Sequence, residues 1–405
     1  MGCFTETDIL LPKEAKNPEF MTKWSVIACD QYTSDISYWN KIKEFTRDNI
    51  SSLNLIFPEI YLETESEEEI NSRIKNIAET MIRYEENFVR YENAMFYIER
   101  TLKNGEVRRG IAGAVDLEEY SYKKDSKAKI KSTEETVSSR LPPRIKIREN
   151  SVFELPHAMI LYEDEKNTLI EGILKNRGDF KKVYDFGLMQ GGGKIAGYKL
   201  DEKNIDFVKN ITRDFAFAVG DGNHSLAAAK EHWENIKRNR EIKNPDTHPA
   251  RYALAEIVNI YDESLEFEPI YRILFGVNPA DVIKKFTEIS GCGSDLNPHK
   301  FGIYYGGEYY PAEIKSGYNL PVKTLQEFLD GYIEKYGGRI DYIHGKTEAK
   351  ELAKQKNSVS FIFETVKKSE LFAAVNKDGV LPRKAFSMGE ADDKRFYTEC
   401  RKIKN

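Results

Sequence analysis

Apolar and polar positions along this chain follow two periods, and the change of period marks its elements. From Glu67 onward, apolar residues return at Ile70, Ile74, Ile77 and Met81, the spacing of one helix face. Ser66 and Glu69 form a capping box in front of them. The apolar runs 95–98 and 107–115 flank Lys103-Asn104-Gly105, which predicts a hairpin. A second, glycine-rich hairpin is expected over 181–200. Short apolar pieces at 10–12, 26–28, 158–161 and 252–258 read as strands, the first two separated by polar turns. The segment 121–139 is polar and reads as a loop, and Pro142-Pro143 reads as the end of any helix there. Beyond about 270, helices at 281–289 and 325–335 alternate with strands at 303–305 and 358–363. The class is therefore α+β, a mixed α/β arrangement too rich in hairpins for a doubly wound sheet. A soft boundary divides an N-terminal mixed region, 1–272, from a C-terminal α/β region, 273–405.

The most informative pattern runs from Phe215 to Lys230. A short apolar strand, 215–219, breaks at Gly220-Asp221-Gly222 and resumes at once as an alanine-rich helix reaching 233–237. Asn223, His224 and Ser225 stand where that helix begins, and there the first backbone N–H groups have no internal partner. A glycine turn opening into a helix start attracts anions, and a histidine placed there can move a proton. Asp and Asn also suit turns, and Ser suits a cap. A cap needs one such residue, however, and four polar types crowd this turn.

Composition narrows the class. The 405 residues are 40% hydrophobic and 31% charged, as in a globular chain of two or three domains. A net charge of −5, with only a short basic run at 140–148, argues against nucleic acid. No apolar run approaches the roughly 20 residues of a membrane helix. The N-terminus lacks a signal-peptide core, so a cytoplasmic location is expected. Cys3, Cys29, Cys292 and Cys400 are far apart and form no CxxC pair. Cys29 reads as a buried small residue.

Other candidates carry chemistry less specifically. Gly191-Gly192-Gly193-Lys194 tempts a P-loop reading, but Leu188 stands at the first Gly position and Ile195 at the hydroxyl position. A flexible turn fits better. Glu134, Thr136, Arg140, Arg144 and Arg148 form a polar cluster in which arginines could hold phosphates and a carboxylate could act as a base. His157 follows Pro156 at a strand entry. His232 reads as structural. Lys384 lies in a loop bounded by Pro382 and Gly389, where it could meet a bound anion. Lys394 and Arg395 read as decoration of a terminal helix.

Three motifs together, Trp24-Ser25-Val26-Ile27-Ala28-Cys29-Asp30-Gln31-Tyr32, Asp221-Gly222-Asn223-His224-Ser225 and Leu381-Pro382-Arg383-Lys384, resemble DUF family 1015 of bacteria and archaea over nearly the whole chain. Part of that family carries DGHHR where this chain has DGNHS, a pattern similar to the ParB/sulfiredoxin-like group, which includes a free-serine kinase. The resemblance implies a ParB/sulfiredoxin-like core around 215–237. It also implies that Asp221, Gly222, Asn223 and His224 bind phosphate or work beside it, while the backbone amides of the turn from Gly220 to Ser225 would hold phosphate on physical grounds. Glu134 and Thr136 resemble an upstream Glu-x-Thr element that supplies a carboxylate base. Ser225 stands where the related pattern has Arg, and Tyr271 where His is expected. The resulting expectation is a phosphotransfer enzyme using ATP or ADP with Mg²⁺ on a small hydroxylated metabolite, serine or phosphoserine. Glu134, His224 and Asp221 would be catalytic, and Asp221 would also serve as metal ligand. Thr136, Arg140, Arg144, His157 and Lys384 would join the turn in binding substrate or phosphate. Two alternatives stand beside it: a nucleotide- or metabolite-binding regulatory protein, and a phosphatase or other hydrolase. The expected partner is a small molecule, with neither nucleic acid nor membrane, and the chain could pair with copies of itself.

Overall fold

The computed structural model describes the chain except Met1, 30–31, 33–34, Asp125, 156–157, Asn176, 240–241, Lys243, 290–295 and Asn405. His157 and Cys292 therefore lie outside the described residues. The chain divides into two units. The first comprises Met1–Ser132, Thr136–Leu265 and Glu390–Asn405, and the second Thr133–Glu135 and Glu266–Gly389. The class is α+β.

In the first unit a mixed sheet runs in the order Lys181–Gly187, Lys194–Lys199, Phe96–Thr101, Val107–Asp116, Tyr252–Asn259, Met159–Tyr162, Phe217–Asp221, Ile130–Ser132, Tyr120–Ser121. Phe4–Thr5 pairs with Val107–Asp116. The predicted hairpin is present, closed by Leu102 N on Glu106 O at 2.8 Å. Alternate residues of the central strands enter opposite cores. Phe96, Ile98, Ala112 and Leu254 face one, and Tyr97, Ile111, Val115 and Ile257 the other. Both faces are covered, and the strands read as nearly continuous apolar runs for that reason.

The helix Glu67–Tyr84 carries the capping box foreseen from Ser66 and Glu69 and buries Ile74, Ile77 and Met81. Two expectations needed correction. The polar stretch 121–139 contains the strand Ile130–Ser132, parallel to the strand at 217–219. Pro142-Pro143 opens a helix, Leu141–Asn150, rather than closing one. Proline suits a helix's first turn because the N–H groups there have no helical partner to lose.

The second unit is an antiparallel sheet ordered Glu308–Ser316, Asn297–Tyr305, Ser358–Phe363, Phe267–Phe275, Arg339–His344, with Phe386–Met388 paired to the start of Phe267–Phe275. Its core gathers on Phe286, whose ring lies 5.0 Å from Phe301 and 5.1 Å from Phe361. Among the described residues, no helix is long and apolar enough to cross a membrane.

Candidate functional site

The strand Phe217–Asp221 lies between Met159–Tyr162 and Ile130–Ser132, and its apolar half, 217–219, is buried. Gly222 then reverses the chain at φ +85, and the helix Asn223–Asn239 starts. Leu226 N donates to Gly222 O at 3.0 Å, so Gly222 is the residue before the first helical turn. Glycine is required here twice over. L side chains rarely adopt that φ, and a Cβ would lie 3.0 Å from Ala158 Cα. A glycine in this position brings no side-chain oxygen to cap the helix.

Side chains around the turn are fixed from two directions. Gly222 N donates to Asp221 Oδ1 at 2.9 Å, while Lys394 Nζ stands 3.7 Å from Asp221 Oδ2. Asn223 is buried, and its Oδ1 accepts from Ser132 Oγ at 2.6 Å. Val137 N donates to His224 Nε2 at 3.3 Å. That contact fixes the imidazole ring against the backbone of 136–137. Thr136, one residue before Val137, has a buried hydroxyl with no hydrogen-bond partner among the described residues. Ser225 is exposed on the first helical turn. The structure thus brings Thr136, Asp221, Asn223 and His224 to one helix start.

The arginines of the polar cluster separate. Arg140 is exposed. Arg144 donates to Arg140 O at 2.7 Å and pairs with Glu59. Arg148 Nη2 lies 2.7 Å from Glu154 Oε2. Arg144 and Arg148, four residues apart, share one face of the helix Leu141–Asn150. Tyr397, nearby in this unit, is pushed up by burial, and the Glu59 and Asp221 carboxylates push it the same way.

In the second unit, Glu134 sits in the three-residue segment that bridges to Leu381, with Leu381 N donating to Thr133 O at 2.8 Å. Its carboxylate acts on Arg272, a fully buried guanidinium that burial pushes down to about 10, against the opposing pull of Tyr342 and Glu134. Tyr342 collects cations. Arg383 Nε donates to its hydroxyl at 2.9 Å, and Lys384 Nζ lies 5.6 Å from its ring centre. Lys384 takes φ +54, an uncommon conformation for a residue with a side chain.

Sequence reasoning missed Arg272, Arg383 and Tyr342 as companions of Lys384, and Lys394 as companion of Asp221. The reading of Lys394 and Arg395 as helix decoration is corrected. They come directly after a short turn, Ala391–Asp393, and Arg395 is buried between Glu256 at 2.8 Å and Glu399 at 2.7 Å. The available signal was Glu256, an acid inside the apolar run 252–258, which needs a buried cation.

The chain belongs to the family described as "Protein of unknown function (DUF1015)", whose profile matches residues 10–332. No curated protein matches it in sequence. Among solved structures it is similar to a free serine kinase mutant in complex with ADP, at 12% identity over 74% of this chain and 93% of that one, TM-score 0.41. It is also similar to a conserved hypothetical protein from Pyrococcus furiosus, at 13% identity over 72% and 95%, TM-score 0.37. A third likeness is to C-terminally truncated SbnI from Staphylococcus aureus, at 11% identity over 69% and 82%, TM-score 0.36.

Proposed function

We propose that this protein transfers a phosphoryl group between an adenine nucleotide, ATP or ADP, and a small hydroxylated metabolite such as serine, with nucleotide phosphates held at the 220–225 turn. One observation carries the reading. A 17-residue helix starts directly after a buried strand, behind a glycine that offers no capping side chain. Amides and the positive end of the dipole at such a start favour phosphate oxygens. The likeness of the turn to the ParB/sulfiredoxin-like signature supports the same reading.

His224, at the helix start, stabilises phosphate charge or moves a proton there. Thr136 supplies a hydroxyl that the described residues leave unsatisfied. Glu134 is assigned the base. The substrate oxygen bonds to the terminal phosphorus, the bond to the departing nucleotide breaks, and the hydroxyl proton passes to Glu134. Arg140, exposed in the same unit as the turn, neutralises anionic groups. Asp221 offers a single carboxylate, and among the described residues no group of three His, Cys, Asp or Glu residues forms a metal cage. That suits Mg²⁺ carried in on phosphates, which takes one or two protein carboxylates and supplies neutralisation of phosphate charge.

The test is thermal stabilisation by ADP and ATP with Mg²⁺. The wild-type chain should gain several degrees, and His224→Ala should lose most of that gain. No shift with either nucleotide in the wild type sinks the proposal. Glu134→Gln should keep binding and lose turnover about a thousandfold. Binding without any turnover in the wild type would leave the regulatory reading standing. Phosphate release from phosphoserine without a nucleotide product would instead favour a phosphatase.

A further inference from the structure

Three cations of the second unit share one aromatic ring. Arg272 and Tyr342 are directly paired residues of the strands Phe267–Phe275 and Arg339–His344, so their side chains stand on one face of the sheet. The guanidinium carbons of Arg272 and Arg383 each lie 5.1 Å from the Tyr342 ring centre, and Lys384 Nζ lies 5.6 Å from it. Cations gathered in this way repel one another. The ring's negative face offsets only part of that repulsion.

The acids around the ring serve other groups. Arg272 is fully buried, and its donors end on uncharged oxygens: Gln326 Oε1 at 3.1 Å, Arg383 O at 3.2 Å, and Ile270 O. Glu134 and Asp330 favour the Arg272 charge from beyond ion-pair distance. Asp341, next to Tyr342, pairs with Arg339 on the opposite face of the strand. Arg383 and Lys384 remain. Both are exposed, and neither forms an ion pair among the described residues. A single exposed cation is simply solvated. Here two consecutive ones are held over the same ring, the second at φ +54, a conformation that costs energy in a residue with a side chain. Their donors also have a companion. Arg383 Nε donates to the Tyr342 hydroxyl at 2.9 Å, and the hydroxyl's own proton has no acceptor among the described residues. A phenol O–H, the outer nitrogens of a guanidinium and an ammonium thus stand together with no acceptor among them.

We propose that Tyr342, Arg383 and Lys384 form a binding site for the phosphate group of a small phosphorylated metabolite. Two cations match a phosphate dianion. The outer nitrogens of Arg383 take two of its oxygens, and the Lys384 ammonium and the Tyr342 hydroxyl take the others. Arg272 holds Arg383 by its carbonyl oxygen and adds its own charge from below. A carboxylate, with one charge and two oxygens, uses less of this donor set. The site goes beyond the reading of the helix start: it lies in the other unit, on residues that take no part in holding the nucleotide.

The test follows acetylation of Lys384 in the full chain by an amine-reactive ester, read by peptide mass spectrometry. Inorganic phosphate is the probe, with acetate and chloride at matched ionic strength beside it. Lys300, exposed in the same unit, is the internal control. Saturating phosphate should slow Lys384 acetylation about fivefold and leave Lys300 unchanged, while acetate and chloride protect Lys384 less than about twofold. Arg383→Gln should abolish the protection. Tyr342→Phe, which removes one hydroxyl and keeps the ring, should raise the phosphate concentration needed about tenfold. It decides the matter if Arg383→Gln does not fold. No protection by phosphate, equal protection by acetate, equal slowing at Lys300, or protection that survives both variants overturns the proposal. His224→Ala should keep the protection of Lys384. Nucleotide stabilisation is measured on the same wild-type samples, so failure of the helix-start reading and failure of this one are seen separately.

Discussion

Two glycine-rich turns in the first unit look alike in sequence and differ in the element each one leads into. Gly220-Asp221-Gly222 opens a helix. Gly191-Gly192-Gly193 closes a hairpin between Lys181–Gly187 and Lys194–Lys199. In the hairpin the polar groups are used up internally. Leu188 N donates to Gly193 O at 2.9 Å, Gly192 N donates to Met189 O at 3.0 Å, and Arg100 donates to Gly192 O. Arg100 is buried beneath the turn, pushed down to about 9 by burial and by its neighbour Arg108. The helix turn spends the Gly222 amide on Asp221 and leads straight into a helix whose preceding residue, Gly222, has no side chain. Glycine content therefore does not make an anion site. The element after the glycine does, because a helix start presents several amides together.

The sharpest break between the two turns is Gly193→Ala. Its φ is +83, and a Cβ would lie 2.1 Å from Thr101 O, a backbone atom of the next strand. We expect a loss of about 3–4 kcal/mol in denaturant unfolding, from strain plus displacement of that strand. Whatever protein remains folded should still be stabilised by nucleotide. If this variant instead abolished nucleotide response at full stability, the hairpin would be the phosphate site.

Gly222→Ala comes next in size. At φ +85 with Ala158 Cα 3.0 Å away, the cost should be about 1–2 kcal/mol. Here, unlike at Gly193, nucleotide stabilisation should vanish along with it, because the helix start shifts. Retained nucleotide response in this variant removes the turn from the proposal.

The contrast between the turns also separates what was legible in the sequence from what was not. The strand, the turn and the helix from Asn223 are local, encoded by a change of hydrophobic period, and so are the capping box at Ser66 and the hairpin at 103–105. The features that stayed hidden depend on distant partners. Ile130–Ser132 is a strand of three residues within a polar stretch, and it exists because Phe217–Asp221 lies beside it. The helix that carries Arg148 was not foreseen because Pro142-Pro143 suggested an ending, whereas prolines in a first turn are compatible with a beginning. Residues 390–405 rejoin the first unit, bringing Lys394 to Asp221 and Arg395 to Glu256, from more than a hundred positions away. No periodicity records such a return. At the candidate site, the residue types of the turn were legible. Their hydrogen bonds to Ser132 and Val137 were not, because those depend on the sheet order.

The smallest effect is the most discriminating for the P-loop likeness. Lys194 occupies the position of a phosphate-binding lysine, yet it lies 3.0 Å from Asp185 Oδ1, beside Lys182, whose Nζ is 2.7 Å from Oδ2. Partial burial tends to raise Asp185, but Lys182 and Lys194 outweigh it and hold the carboxyl below its usual value. A depressed carboxyl stabilises the folded state above its unfolded value, and that contribution is lost as pH falls through the folded value. Lys194 is exposed, Asp185 is partly buried and Lys182 still pairs with it, so Lys194→Met should cost no more than about 0.5 kcal/mol at neutral pH. The difference from wild type should fade below about pH 4, as Asp185 takes up its proton. Nucleotide stabilisation should be unchanged throughout. A variant that instead lost nucleotide response with its stability intact would show that the lysine after the three glycines serves phosphate, and would reverse the assignment of the two turns.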